Sequence, residues 1–161
     1  MSWPIDTISI VLAIVYGSVI GFERELGGKV AGLRTNALIC LGAAVFTIIS
    51  REMSGGQDSV TRIAAQIVTG VGFLGAGAII RDRGGVHGLT TAATIWLVAS
   101  IGMACGARYY WLATVSTVLA LVVLFGLKRL ERVIAGMAGT EERRHKIVEP
   151  GSGDKKGEIG Q

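Results

Sequence analysis

Few residues in this chain have the types and spacing to do chemistry, and most of them crowd into two charged turns. The first holds Glu23, Arg24 and Glu25, then Arg34 and Thr35 after a glycine-rich turn, with Asn36 one residue further on. A helix start at Arg34–Thr35 would present free N–H groups and a partial positive charge. Those groups could be capped by Glu23 or Glu25, with a Glu–Arg pair locking the hairpin, or they could receive an anion from the cytoplasm. Arg62, Gln66 and Gly70 follow at four-residue spacing and share one helical face, flanked by Thr69. Polar groups such as Gln66, Asn36 and Thr94 in apolar helices act either as interhelical glue or as a solute path.

Other chemistries find no support. His87 and His145 lie in a turn and in the tail, and no serine, cysteine or carboxylate is spaced for a nucleophile–base pair. Cys40 and Cys105 make no metal-ligand pattern. The reading is therefore a protein that is not an enzyme, with no cofactor and no metal. Gly70-Val71-Gly72-Phe73-Leu74-Gly75 matches the dinucleotide-binding glycine pattern. That pattern works only between a strand and an exposed helix N-terminus, whereas these glycines sit inside an apolar run.

The elements that must position these residues are long and apolar. The chain has 161 residues, half of them hydrophobic, with 24 glycines and a mean hydropathy of +0.54. After Arg62 there are 18 residues without a charge, about 27 Å of helix at a rise of ~1.5 Å per residue. That length approaches the hydrocarbon thickness of a bilayer. In lipid, glycines let neighbouring backbones approach, so Gly70, Gly72, Gly75 and Gly77 predict a helix buried among others. Apolar runs at 5–22, 35–50, 89–107 and 109–127 complete five predicted spans. In the first, Ala13, Gly17 and Gly21 share a face suited to close packing. A polar loop is expected at 51–61, with Asp58-Ser59 capping the third helix. Residues 23–34 and 81–88 are read as charged hairpins, the first turning at Gly27-Gly28 and Gly32.

The fold expectation is all-α, a polytopic membrane bundle over residues 1–130, with a largely disordered cytoplasmic tail at 131–161. The pI near 9.4 is a topology signal rather than a sign of nucleic-acid binding. With the N-terminus out and the C-terminus in, 13 of the 16 basic residues face the cytoplasm, leaving Arg51, Arg62 and Arg108 outside. This topology sets Cys40 nearer the cytoplasm and Cys105 near the opposite face. Residues 28–43 and 84–99 align without a gap at an offset of 56, with nine of sixteen positions identical. That alignment predicts a parallel repeat of helices 1–2 and 3–4. It also places Thr91 where the first hairpin has Thr35.

Several long motifs occur together and in order. They are Gly21-Phe22-Glu23-Arg24-Glu25, Ala31-Gly32-Leu33-Arg34-Thr35, Arg62-Ile63-Ala64-Ala65-Gln66-Ile67-Val68, Gly72-Phe73-Leu74-Gly75-Ala76-Gly77 and Gly88-Leu89-Thr90-Thr91-Ala92-Ala93-Thr94-Ile95-Trp96. This set resembles the MgtC/SapB family of bacterial inner-membrane proteins. The resemblance implies five transmembrane helices in the cytoplasmic membrane and a role in adaptation to low magnesium or in intracellular survival. It further implies a regulatory action on the F-type ATP synthase rather than magnesium transport. The polar positions it singles out are Glu23, Arg24, Glu25, Arg34, Thr35, Asp58, Arg62, Gln66, Thr91 and Thr94. Expected partners are the bilayer, a second copy (a dimer) and other membrane proteins such as ATP synthase, with no nucleic acid. A small transporter or channel using the repeat interface is the alternative. Longer members of the family append a cytosolic domain, which this chain stops short of.

Overall fold

A computed structural model describes residues 3–53, 57–83, 85–127 and 129, with the side chains of 57–61 left out. The expectations for Ser54, Gly55, Gly56, Gly84, Lys128 and the tail 131–161 lie outside the described residues. The chain divides into Met1–Val122 and Val123–Gln161. Of the second unit only the end of a helix is described.

Five helices form a helical membrane bundle. They are α1 (Trp3–Leu26), α2 (Leu33–Met53), α3 (Gln57–Gly77), α4 (Leu89–Gly106) and α5 (Tyr110–Leu127). Among the described residues α1, α2, α4 and α5 are long and apolar enough to cross a membrane. The third helix forms where expected but is not among them. Gln57, Asp58, Thr61, Arg62 and Gln66 in its first half offset the apolar run that follows.

The ends of the helices explain where the sequence reading misplaced boundaries. The first apolar run ends at Phe22, with the turn expected at Gly27-Gly28; the helix α1 itself runs on through Leu26. It stops where Gly28 takes φ +63°, a left-handed conformation that glycine adopts without strain. There Gly28 N donates to Glu25 O at 2.9 Å and Lys29 N to Arg24 O at 3.0 Å. The expected polar loop at 51–61 is mostly helix, because α2 extends to Met53 and α3 begins at Gln57. The second charged turn is a two-stranded antiparallel ribbon, β1 (Ile80–Asp82) and β2 (Gly85–His87), with Arg81 opposite Val86. Gly88 (φ +88°) ends it, and a Cβ there would run into the Ala78 carbonyl. α2 and α4 each start immediately after a glycine, Gly32 and Gly88, at positions 56 apart.

The core is built from small side chains at close helix crossings. A Cβ at Gly17 would lie 2.7 Å from both the Asn36 carbonyl oxygen and Cys40 Cβ, and one at Gly21 2.7 Å from Leu33 Cα. These glycines bring α1 onto α2. Gly102 abuts the Cys40 carbonyl and Gly106 the Ala44 carbonyl, so α4 closes on α2 equally tightly. Cys40 and Cys105 are both fully buried. Cys40 lies in the first half of α2 and Cys105 near the end of α4. A second cluster, Ala31, Ala43, Ile67, Val71, Ile95 and Ala99, joins α2, α3 and α4.

The glycines of α3 depart from expectation. Only Gly75 meets a neighbour, with its would-be Cβ 3.6 Å from the Ala92 carbonyl oxygen, an ordinary contact. At Gly70, Gly72 and Gly77 nothing lies within 4 Å. Among its described side chains α3 buries Ile67, Val71 and Gly75, one stripe of its surface, half-buries Ile63 and Ala64, and exposes the others. Gly70, Gly72 and Gly77 lie outside that stripe, so within this chain the helix is not enclosed.

Candidate functional site

Five of the expected polar residues gather where α1 ends and α2 and α4 begin. Arg24 is 4% exposed, and its Nη2 donates to Thr91 Oγ1 of α4 at 3.3 Å. Glu25 Oε2 accepts from the Leu33 backbone N–H at 2.8 Å, so it caps the first turn of α2 from the preceding helix. Asn36 is wholly buried and its Nδ2 donates to the carbonyls of Ala31 and Gly32, both at 2.8 Å. Glu23, also 4% exposed, lies 3.6 Å from Arg24 Nη1. Successive residues on a helix do not face each other, which accounts for the long separation. Glu23 Oε2, Arg24 Nε and Asn36 Oδ1 are buried and make no hydrogen bond among the described residues. Buried polar atoms are almost always satisfied, so this end of the bundle carries unused hydrogen-bonding capacity on both a carboxylate and a guanidinium.

The other expected positions stand apart. Arg34 and Thr35 are exposed on the first turn of α2. Thr94 is buried and its hydroxyl returns to the Thr90 carbonyl at 2.7 Å. Asp58 falls inside α3, with its side chain outside the described residues. Arg62 and Gln66 are exposed on α3. Between α2 and α3 runs an open apolar groove of about 480 Å³, in which Gln66 is the one polar lining side chain.

Sequence reasoning missed the cluster at the opposite end. Asp6 Oδ1 accepts from Arg51 Nη2 at 2.5 Å and from Arg108 Nη2 at 2.9 Å, while Arg51 Nη1 donates to the Gly106 carbonyl at 2.7 Å. One carboxylate thus clasps α1, α2 and the α4–α5 turn. Arg108 itself holds φ +67°, unusual for a residue with a Cβ. Hydroxyl pairs then run along α1 and α5, Ser9 with Tyr110 at 2.8 Å and Tyr16 with Thr114 at 2.7 Å. A signal was present: Asp6 is the one acid early in the first run, and Arg51 and Arg108 are two of the three arginines that break the basic-residue bias.

This arrangement can hold helices together and can offer buried polar groups to a small ligand. Among the described residues no three His, Cys, Asp or Glu side chains come together to hold a metal ion. The sequence model of the MgtC family matches residues 10–133, from the middle of α1 to beyond α5. The chain belongs to the MgtC family. Protein MgtC of Brucella abortus is 48% identical over 122 residues, which cover 76% of this chain and 51% of the Brucella protein. Protein MgtC of Salmonella typhimurium is 48% identical over 114 residues, 71% of this chain and 48% of that one. A Synechocystis protein, slr0014, is 40% identical over 134 residues, 83% of this chain and 57% of its own length. This MgtC-family chain therefore spans about half the length of the curated relatives it matches. No solved structure matches it.

Proposed function

We propose that this MgtC-family chain is a non-enzymatic regulatory protein of the bacterial cytoplasmic membrane, acting by binding another integral membrane protein through α3. The observation that carries this reading is the outer face of that helix. Ala65, Thr69, Gly72 and Ala76 recur at helical spacing and all are exposed, and nothing lies within 4 Å of a Cβ built on Gly72. Small residues on an uncovered helix in lipid favour docking of a further helix, because close backbone approach supplies much of the association energy there. The F-type ATP synthase is the first partner to test, by family resemblance, under magnesium limitation. The basic-residue bias supports an N-terminus outside and a C-terminus inside. The same face would serve a dimer.

The test is capture from native membranes with the tagged full chain. ATP synthase subunits should copurify with the unaltered protein and be lost with Gly72→Leu, which the open surroundings of Gly72 allow to fold. Equal capture by both proteins would refute the reading. The buried Glu23 Oε2, which accepts no hydrogen bond among the described residues, favours a second reading, a small ion or solute transporter. Selective flux in proteoliposomes that disappears with Glu23→Gln, in protein of unchanged melting temperature, would select it.

A further inference from the structure

The groove between α2 and α3 has the length, lining and end group of a lipid-binding site, and we propose that it holds one acyl chain of an anionic membrane phospholipid, with Arg62 and Gln66 at the headgroup. Leu38, Gly42 and Phe46 of α2 and Ile63, Gly70 and Leu74 of α3 line the 480 Å³ groove, a volume within the usual range of small-molecule sites, roughly 300–1,000 Å³. From Ile63 to Leu74 the groove runs about 16 Å along the axis of α3. That is the depth of one leaflet, about half of a ~30 Å hydrocarbon core.

The groove exists because Gly42 and Gly70 lack side chains. A Cβ on either meets nothing within 4 Å, so the space is open rather than filled by a neighbour. At one end Gln66 is the single polar side chain lining the groove, and it also lines, with Arg62, Ile63 and Ala65, an adjoining recess of about 300 Å³. Arg62 is exposed and forms no ion pair among the described residues. A guanidinium on a long apolar stem can rise from this depth to the headgroup layer, where a phosphate takes it in a forked pair. The Gln66 amide can serve the ester or glycerol oxygens just below. A protein helix would not need a cation placed over one end of the groove. A phospholipid of negative charge does, because its phosphate is the group that a guanidinium binds in a forked pair.

The test is native mass spectrometry of the purified full chain with phosphatidylglycerol or phosphatidylcholine of the same acyl composition. One phosphatidylglycerol per chain should be retained, about fivefold more tightly than phosphatidylcholine, the ratio that one basic side chain supplies at an anionic surface. Gly70→Leu and, independently, Gly42→Leu should weaken retention of both lipids at least about tenfold, by displacing two or more buried methylenes of the acyl chain. Arg62→Gln should abolish the preference for phosphatidylglycerol and leave phosphatidylcholine retention as before. Melting temperature and helix content confirm that each variant is folded. Lipid retention indifferent to all three substitutions would mean surrounding lipid only, and would overturn the proposal. Equal retention of the two lipids by the unaltered chain would also overturn it. So would a dimer or copurifying helix lost with Gly70→Leu, since a protein would then occupy the groove. Gly72, on the other face of α3, reads out the regulatory interaction separately, so failure of one reading leaves the other standing.

Discussion

Substituting alanine for glycine separates the glycines that form the bundle from those that do not. At Gly106 a new Cβ would lie 2.5 Å from the Ala44 carbonyl oxygen and 2.8 Å from Thr47 Cβ, well inside the 3.4 Å at which ordinary contact begins. The obstacle is backbone, so α4 must retreat from α2 by most of an ångström. Overpacking of that kind costs about 1–3 kcal/mol. The retreat also stretches the bond from Arg51 Nη1 to the Gly106 carbonyl, now 2.7 Å. In water alanine would recover ~1 kcal/mol through helix propensity. In lipid the helix persists after tertiary unfolding, because its backbone has no other partner, so little of that gain appears. Gly106→Ala should therefore lose about 1–3 kcal/mol, and Gly102→Ala as much, while Gly72→Ala should stay within about 0.5 kcal/mol of the unaltered protein. The measurement is the folded fraction across a titration of denaturing into mild detergent, read by tryptophan fluorescence. If Gly106→Ala and Gly72→Ala unfold at the same detergent fraction, the assignment of close crossings is wrong.

Further outcomes follow from the clasp and the hydroxyl pairs. Asp6→Asn should lower the melting temperature in detergent, and adding Arg108→Gln should recover part of the loss, since the double change also removes a cation that Asp6 held at 2.9 Å; no recovery would exclude direct pairing. Arg108→Gly should be more stable than Arg108→Ala by about 1–2 kcal/mol, because both lose the Asp6 contact and only glycine is relieved of the left-handed backbone; equal stability in the same titration would refute strain at that turn. A double-mutant cycle over Tyr16→Phe and Thr114→Ala should show a coupling near 0.6 kcal/mol, the usual size for interhelical hydrogen bonds in membranes; zero coupling would mean the 2.7 Å pair is not formed.

Much of the bundle was legible because lipid imposes simple rules. Uncharged runs of the right length marked α1, α2, α4 and α5, since backbone groups in hydrocarbon must be satisfied within the segment. Glu25 at the start of α2 was foreseeable, because a carboxylate four to eight residues ahead of an open helix N-terminus is a natural cap. The boundaries failed where charges are neutralised in tertiary structure. Arg51 looked like the beginning of a loop, yet its partner Asp6 lies 45 positions away, and no local pattern reveals such a pair. Glu23 and Arg24 read as surface charges for the same reason, although α1 carries both into the interior. Arg108 hid a turn behind a residue type that rarely takes positive φ, where glycine would have announced it.

Glycine itself carried two meanings that spacing could not separate. Gly17, Gly21, Gly102 and Gly106 lie where another backbone passes, so removing the side chain lets helices touch. Gly42 and Gly70 lie where nothing passes, so removing the side chain leaves space. Both kinds occur in apolar helices, and both resemble packing positions on paper. What distinguishes them is the partner helix. α2 is held to α1 by Gly17 and Gly21 and to α4 by Gly102 and Gly106, and its remaining surface meets α3 only partly. A third helix that fully buries only Ile67, Val71 and Gly75 among its described side chains leaves α2 uncovered at Leu38 and Phe46. Apolar surface of that shape in a membrane meets either lipid or protein. The arginine and glutamine at one end of it are what tilt the assignment toward a charged lipid.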